Sequence, residues 1–226
     1  MDETIVISLG GSLIIPDQID TDFLKEFKEL ILSQVEQGKK FAIVTGGGKL
    51  CRRYNDGLKH IIDSSNEELD WLGIATTRLN AEFVRIIFGD KAFDKIIMNP
   101  EVIPDMNKPI IIGGGWKLGN SSDMAAVFLA KNTGAKKIIN LSNTDYVYDS
   151  DPKINPEAKK IEKISWQDYR KLIPRDWNPG LNSPFDPIAS KMAEEEGIEV
   201  IIMNGKPIDN LRKCLDGEQF LGTIIS

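Results

Sequence analysis

Three glycine clusters constrain the fold of this chain more than any other feature, because each follows directly on a short apolar run. The clusters are Gly10–Gly11, Gly46–Gly48 and Gly113–Gly115, and the runs that precede them are residues 4–9, 41–45 and 109–112. Such a run is typical of a buried strand in a parallel sheet. Glycine after the strand lets backbone N–H groups approach an anion closely. The clusters therefore predict three loops at the carboxyl edge of one sheet, where open α/β sheets bind ligands.

The rest of the chain alternates between strand-like and helix-like segments. The predicted strands are residues 4–9, 41–45, 95–98, 109–113, 137–142, 198–203 and 222–225, and the predicted helices are 21–37, 49–62, 67–88, 122–133, 186–196 and 207–216. Asp20 and Asp186 are predicted helix N-caps, and Gly38, Gly134 and Gly197 are predicted helix ends. The alternation predicts an α/β fold, a three-layer αβα sandwich with a mostly parallel central sheet.

Residues 143–185 break this alternation. They contain five prolines and scattered tryptophans, and we expect them to form a hinge, a lid or a segment that covers a ligand.

Length, charge and cysteine content exclude several classes of protein. A chain of 226 residues with 41% apolar content fits one domain, or at most two lobes. A net charge of −6 argues against a general nucleic-acid surface, and no apolar stretch approaches the roughly 18 residues of a membrane span. The N-terminus lacks the segments of a signal peptide. Two distant cysteines and one histidine argue against a disulfide framework or a zinc site, so we expect a cytoplasmic protein. From the charge and the short apolar stretches we expect no nucleic-acid or membrane partner.

The first two glycine loops carry polar and cationic residues that suit phosphate groups. Gly10, Gly11 and Ser12 would wrap the phosphates of a donor nucleotide, although the chain lacks the Walker and GxGxxG patterns. The second loop runs into a helix with Lys49, Arg52 and Arg53 in its first turns. An arginine there can bind a phosphate through two hydrogen bonds over the helix N-terminus. The alternative is that the three cations form an ordinary solvated face.

Aspartates near the later strands are the remaining candidates. Asp123 can cap or organise the first turn of the helix at 122–133. Asp186 begins the predicted helix at 186–196, and we expect it to face the ligand crevice at the carboxyl edge of the sheet. Residues 143–152 mix acids, amides and rings that can clasp an adenosine, although an Asp/Pro turn would explain them too. From composition alone, Asp70 is a solvated surface acid.

Six segments, taken in this order, resemble the amino acid kinase family, and within it the uridylate (UMP) kinases of the short archaeal type. They are IVISLGGSLI at 5–14, VTGGGKLCRRY at 44–54, LDWLGIATTRLNA at 69–81, SSDMAA at 121–126, NTDYVYDSDP at 143–152 and FDPIASKMA at 185–193. The resemblance implies a single domain over residues 1–226. Its acceptor-binding lobe would cover about 1–135 and its ATP-binding lobe about 136–226.

The resemblance also implies a reaction and a set of site residues. The reaction is transfer of the γ-phosphoryl group of ATP to UMP, with Mg²⁺ carried on the ATP phosphates and no metal ligand assigned to the protein. The implied ATP-binding residues are Gly10, Gly11, Ser12, Ser142, Asn143, Tyr148 and Asp151. The implied UMP-binding residues are Gly46, Gly47, Arg52, Asp70, Trp116, Lys117, Gly119, Asn120, Ser121 and Ser122. Asp123 and Asp186 match the catalytic aspartates, and a homodimer that assembles into a homohexamer is implied.

Three positions depart from the family pattern. Ser8 stands where many members have lysine, Tyr146 where glycine is usual, and Trp116–Lys117 where the uridylate kinases carry small or polar residues. Two alternatives therefore stay open. One is a kinase of the same fold that acts on isopentenyl phosphate, carbamate or an acyl amino acid. The other is a nucleotide-binding protein without turnover, which Ser8 favours.

Overall fold

A seven-stranded sheet forms the centre of the molecule. The computed structural model describes residues 4–104, 107–176 and 183–226. The strands are β1 (Thr4–Leu9), β2 (Lys40–Thr45), β3 (Ile110–Gly113), β4 (Lys137–Ser142), β5 (Val147–Tyr148), β6 (Lys160–Ile161), β7 (Lys163–Ile164), β8 (Glu199–Asn204) and β9 (Thr223–Ile225). The sheet order is β3-β2-β1-β4-β8-β9-β7, and every neighbouring pair is parallel except β8 and β9. Strands β5 and β6 form a separate antiparallel pair.

Helices cover both faces of the sheet. They are α1 (Gly11–Ile14), α2 (Thr21–Glu36), α3 (Gly48–Ile61), α4 (Asn66–Phe88), α5 (Ser122–Thr133), α6 (Trp166–Leu172), α7 (Pro187–Glu195) and α8 (Ile208–Leu215), with a 3₁₀ turn at Gly89–Lys91. Helices α2, α4 and α8 contribute to the core on one face, and α5, α6 and α7 to the core on the other. This arrangement confirms the predicted α/β class with a mostly parallel central sheet.

The central strands β1, β2 and β3 are mostly apolar and buried because both of their faces are covered. Ile7 of β1 points into the first core and Val6 into the second, and both side chains are fully buried. Each such burial stabilises the fold by about 1.5–3 kcal/mol. Since β1 to β4 are parallel neighbours, their carboxyl ends and the loops that follow lie at one edge of the sheet.

The predicted N-caps Asp20 and Asp186 are confirmed, because each side chain accepts backbone N–H groups in the first turn of its helix. The predicted capping role of Asp123 is wrong. Ser121 caps α5 by accepting from the backbone N–H of Met124, at 3.0 Å, and the Asp123 carboxylate points elsewhere. Gly134 ends α5 in the left-handed conformation, with φ of 74°, as glycine readily does.

The prediction of a strand at residues 95–98 is wrong. Ile97 alone of this segment pairs with β3, by donating its backbone N–H to Ile112 and accepting from Gly114. Its neighbour Met98 is half-exposed, so no continuous buried edge is available to extend the pairing.

The described part of 143–185 is more regular than its prolines indicate, since it contains β5, β6, β7 and α6. The two-residue strands are too short for a periodic pattern to reveal them. Residues 177–182 lie outside the described part. Among the described helices, none is both long enough and apolar enough to cross a membrane.

Candidate active site

A cleft with a volume of about 300 Å³ opens at the carboxyl edge of β1 to β4. It brings together most of the candidate residues from loops that are far apart in sequence. The candidates that line it are Gly10, Gly11, Ser12, Gly46, Gly47, Arg52, Asp70, Asn120, Ser121, Ser122, Asp123, Ser142 and Asp186. The N-termini of α3 and α5 also begin at the cleft, at Gly48 and Ser122, and the positive ends of their dipoles favour a bound anion there.

The first two glycine loops lie in direct contact. A Cβ atom on Gly11 would collide with the Gly46 carbonyl and the Gly48 amide. Gly48 also has a positive φ of 61°, a backbone conformation that residues with a side chain rarely adopt. Glycine is therefore required at these positions for the loops to approach each other.

The three cations at the start of α3 separate into two groups. Lys49 and Arg53 both pair with Asp17, at 3.1 and 3.2 Å. Arg52 has an exposed side chain that lines the cleft, and it forms no ion pair with a carboxylate in the described ranges. Arg52 is thus the cation that is available to an anionic ligand.

Helix α4 holds the third glycine loop through partly buried polar contacts. Arg78 donates to the carbonyls of Gly115 and Trp116, each at 2.8 Å. The hydroxyl of Thr77 accepts from the N–H of Gly115 at 2.8 Å. A Cβ on Gly115 would come within 2.8 Å of the Ile74 Cα atom, so the loop lies against the helix backbone.

The same helix also holds the second glycine loop and one of the candidate acids. Asn80 is buried and donates from Nδ2 to the carbonyl of Gly46, at 2.8 Å. Asp70 accepts from the backbone N–H of Gly119 through Oδ2, at 2.6 Å. Burial raises the pKa of Asp70, and the Gly119 hydrogen bond opposes that rise. Asp70 is therefore not the solvated surface acid that composition alone suggests.

Sequence reasoning missed Thr77, Arg78 and Asn80 as loop-holding residues. The signal available was four polar residues among positions 76–80, in a helix that also buries Ile74, Ala81 and Val84. Buried polar side chains require hydrogen-bond partners, but the pattern alone does not identify those partners.

Asp123 and Asp186 lie together at the centre of the cleft. The backbone N–H of Asp186 donates to Asp123 Oδ2 at 3.0 Å. Asp186 Oδ1 accepts from Ile188 and Ala189, and its Oδ2 accepts from the Ser121 hydroxyl. Burial and the neighbouring Asp186 charge raise the pKa of Asp123 to about 8, and burial raises the pKa of Asp186 as well.

Two further side chains position the segment that carries Asp186. The buried Tyr169 hydroxyl donates to the carbonyl of Phe185 at 2.6 Å and accepts from its N–H at 2.7 Å. Asn140 on β4 donates to the carbonyl of Pro184 at 3.0 Å and makes a longer contact of 3.4 Å with Asp123 Oδ1. The two residues that precede Asp186 are therefore each held by a side chain from another element.

Comparison with known proteins identifies the family. The model of the amino acid kinase family matches residues 3–204 of the chain. The chain belongs to the amino acid kinase family. It is 31% identical over 226 residues to a uridylate kinase of Methanospirillum hungatei, a match that covers 99% of this chain and 94% of the relative. It is 32% identical over 225 residues to a uridylate kinase of Archaeoglobus fulgidus, covering 98% and 99%.

Solved structures extend this likeness. The crystal structure of the Archaeoglobus fulgidus uridylate kinase matches with a TM-score of 0.82 at 30% identity, covering 98% of this chain and 99% of that one. An aspartate kinase from Synechocystis matches with a TM-score of 0.71 at 18% identity, covering 98% of this chain and 39% of that one. The second match shows a shared fold alone.

Some candidate residues of this amino acid kinase do not line the cleft. Trp116 is buried edge-to-face against Phe128 at 4.9 Å, and the Lys117 ammonium lies 3.7 Å from the centre of the Trp116 ring. Gly119 reaches the cleft only through its hydrogen bond to Asp70. Trp116 and Lys117 thus lie in the loop between β3 and α5 but outside the cleft lining.

The donor-side candidates beyond β4 also lie away from the cleft lining. They are Asn143, Tyr148 and Asp151. Tyr148 packs edge-to-face with the buried Tyr146 at 6.4 Å. Asp151 accepts from the backbone N–H of Lys153 at 2.9 Å, as an acid in a local turn does.

Ser8 lies in the cleft, where its hydroxyl donates to Asp123 Oδ1 at 3.4 Å. Among the described lining residues, Arg52 is the one cationic side chain. Apart from Arg52, no cationic side chain in the described lining stands in for the lysine that many family members have at position 8.

Proposed function

We propose that this protein transfers the γ-phosphoryl group of ATP to UMP, giving ADP and UDP. The observation that carries the proposal is the contact between the first two glycine loops, which sets two anion-binding loops side by side with Arg52 and Asp70 at one end. The full-length similarity to uridylate kinases supports the same acceptor.

In this proposal the acceptor binds to the N-terminal part of the chain, at about residues 1–135. The phosphate of UMP lies over the N-terminus of α3 against Arg52, and Asp70 accepts a hydrogen bond from the ribose. Asn120, Ser121 and Ser122 border the same end of the cleft. Trp116 lies outside the cleft lining and fixes the shape of the loop by packing against Phe128, and Lys117 lies over the Trp116 ring.

The donor binds toward the C-terminal part, at about residues 136–226. Gly10, Gly11 and Ser12 hold the phosphates of ATP, and Ser142 borders them at the end of β4. The segment with Asn143, Tyr148 and Asp151 follows directly, and we place the adenosine along it.

The chemistry needs no general base, since a UMP phosphate oxygen is already ionised. That oxygen attacks the γ-phosphorus in line, the bond from phosphorus to the β,γ-bridging oxygen breaks, and ADP leaves. Arg52 and the helix N-termini stabilise the negative charge, and the glycine loops hold the two phosphates in position. Asp186 is a positioning residue, because its carboxylate oxygens bond to Ser121 and the α7 amides.

In this proposal Mg²⁺ enters the site bound to the phosphates of ATP. Among the described residues, no group of three or more acids, cysteines or histidines offers a complete metal site. Asp123 Oδ1 has only two long contacts of 3.4 Å, so this oxygen fits an ion whose other ligands are phosphates and water. When bound, Mg²⁺ neutralises phosphate charge beside the two carboxyls.

We also propose that the protein forms a homodimer through α3 and α4, and that dimers assemble into a homohexamer. Trp71, Leu79 and Ile86 are exposed along one side of α4, and Tyr54 and Ile61 along one side of α3. Exposed apolar stripes of this kind mark protein interfaces. Light scattering tests the assembly, and Leu79→Glu should shift the mass to that of a monomer.

We also propose a cytoplasmic location for the protein, which the free thiols of Cys51 and Cys214 fit.

An ADP-release assay with Mg²⁺ and ATP tests the function. The acceptors are UMP, CMP, AMP, dUMP and isopentenyl phosphate, each with and without EDTA. We expect turnover with UMP that EDTA abolishes. Strong turnover with another acceptor alone would overturn the substrate assignment. Binding of ATP with no release of ADP in the presence of any of these acceptors would favour a nucleotide-binding protein without turnover.

A further inference from the structure

Asn55 presents an orphan hydrogen-bond acceptor beside the cleft. Its side chain lines the cleft, and its Oδ1 atom is buried with no hydrogen-bond partner among the described residues. Only two other side-chain atoms in the described ranges share this state, Ser64 Oγ and Arg170 Nη1, and neither residue lines the cleft. A buried polar atom without a partner destabilises the free protein, so a ligand donor is the explanation that this position favours.

The position of Asn55 on α3 indicates which part of a ligand it meets. Asn55 follows Arg52 by three residues, so the two side chains lie on the same face of the helix. The helix rise of about 1.5 Å per residue places Asn55 roughly 4.5 Å further along α3 than Arg52. In the proposed function the phosphate lies at the N-terminus of this helix, so Asn55 is the more distant of the two residues from it. Asn55 therefore faces the part of the acceptor that follows its phosphate.

The opposite wall of the cleft supports the same conclusion. Asp70 and Leu69 line the cleft from α4, and Asp70 uses Oδ2 for its hydrogen bond with Gly119. Asn55 Oδ1 and the Asp70 carboxylate both accept hydrogen bonds, so the ligand group between α3 and α4 must supply donors. A ribose supplies two, its 2′- and 3′-hydroxyl groups.

We propose that Asn55 is a specificity-determining residue whose Oδ1 accepts a hydrogen bond from a ribose hydroxyl of the acceptor nucleotide. This inference rests on the proposed function. It adds to the site a side chain that distinguishes ribonucleotides from deoxynucleotides. A sugar-free acceptor such as isopentenyl phosphate would leave Oδ1 without a donor.

The test compares kcat/KM for UMP, 2′-deoxy-UMP, 3′-deoxy-UMP and CMP in the full-length protein and three variants. Asn55→Leu keeps the approximate size of the side chain and removes the acceptor. Asn55→Asp keeps acceptor oxygens at the same position. Ser64→Ala is the matched control, because it removes an orphan oxygen outside the cleft.

We expect Asn55→Leu to reduce the preference for UMP over one of the two deoxy-nucleotides by about 3- to 10-fold, the range for one lost hydrogen bond. Its melting temperature without ligand should be equal to or above that of the unaltered protein. Asn55→Asp should keep the preference despite a lower overall rate, and Ser64→Ala should change neither. The preference is a ratio measured on one protein, so partial loss of folded enzyme does not affect it.

Two results would overturn the inference. In one, Asn55→Leu leaves both preferences unchanged, so that the side chain has no contact with the ribose. In the other, only the ratio of UMP to CMP changes, which would place Asn55 against the base. Failure of the unaltered protein to phosphorylate UMP would instead reject the proposed function, and that outcome is distinguishable from both.

Discussion

The acceptor and donor ends of the cleft are held in place by different kinds of contact. At the acceptor end, Asn80 and Arg78 of α4 reach across more than 30 residues of sequence to hold the second and third glycine loops. On the donor side, the described contacts of residues 149–159 are mainly local, such as the one from the Lys159 N–H to Asp149 and the one from the Lys153 N–H to Asp151. The acceptor end is therefore part of the core, and the donor segment is a set of surface turns.

This difference indicates how each end responds to change. Long-range, partly buried hydrogen bonds couple the acceptor loops to the stability of the whole fold, whereas local turns open without disturbing the sheet. We expect substitutions at the acceptor end to change stability and substitutions in the donor segment to change ATP binding alone.

Asp123, which lies between the two ends, should give the largest effect. We expect Asp123→Asn to lower kcat about 10²- to 10³-fold, because the carboxylate at the transfer site is lost. The pKa of Asp123 is raised in the folded protein, so its contribution to stability is complete below the unfolded pKa and is lost as pH rises through about 8. Asp123→Asn should therefore raise the melting temperature by about 2–6 °C at pH 9 and by less at pH 5.

Initial rates and thermal melts across this pH range check the Asp123 prediction. A lower melting temperature for Asp123→Asn at pH 9 would show that the carboxylate stabilises the fold, contrary to its burial beside Asp186.

The next largest effect tests the contrast between the two ends. Arg78→Ala leaves the carbonyls of Gly115 and Trp116 without their donor, and we expect it to destabilise the protein by about 3 kcal/mol in urea unfolding. Asp149→Ala on the donor side removes an exposed contact and should leave the urea midpoint unchanged. Equal losses in the two variants would remove the contrast.

Much of this architecture could be predicted from local sequence patterns. The apolar runs identified β1 to β4, and the glycine clusters identified the loops after β1, β2 and β3, because strand burial and glycine conformation are properties of neighbouring residues. The capping role of Asp186 followed in the same way. The contacts of Arg78 and Asn80 could not be predicted, since their partners are backbone carbonyls that only the folded chain brings near. Ser121 and Asp123 both suit a helix start, and the residue at which α5 begins, Ser122, makes Ser121 the cap.

Tyr169 should give a smaller effect. Tyr169→Phe removes the donor to the Phe185 carbonyl and the acceptor for its N–H, at a cost of about 1–3 kcal/mol in stability. Because Phe185 precedes Asp186, we expect kcat to fall about tenfold while the KM for UMP changes little. If Tyr169→Phe lost stability but kept its kcat, Tyr169 would be structural alone.

The smallest effect is expected in the donor segment. Asp149→Ala removes the acceptor for the Lys159 N–H and so loosens the segment 149–159 in the free protein. Binding of ATP must then order this segment, which reduces the free energy of ATP binding. We expect the KM for ATP to rise about 2- to 5-fold and the KM for UMP to stay constant. Steady-state kinetics with each substrate varied in turn provide the check, and an equal rise in both constants would argue against a separate donor segment.

The most direct test of the two-anion cleft compares Arg52→Ala with Arg53→Ala. These neighbours on α3 have the same charge, but Arg52 lines the cleft and Arg53 pairs with Asp17. Loss of one charged partner of a bound phosphate costs about 2–5 kcal/mol, so kcat/KM for UMP should fall at least 30-fold in Arg52→Ala and less than threefold in Arg53→Ala. Equal kcat/KM values in the two variants would contradict the assignment of the acceptor phosphate to Arg52.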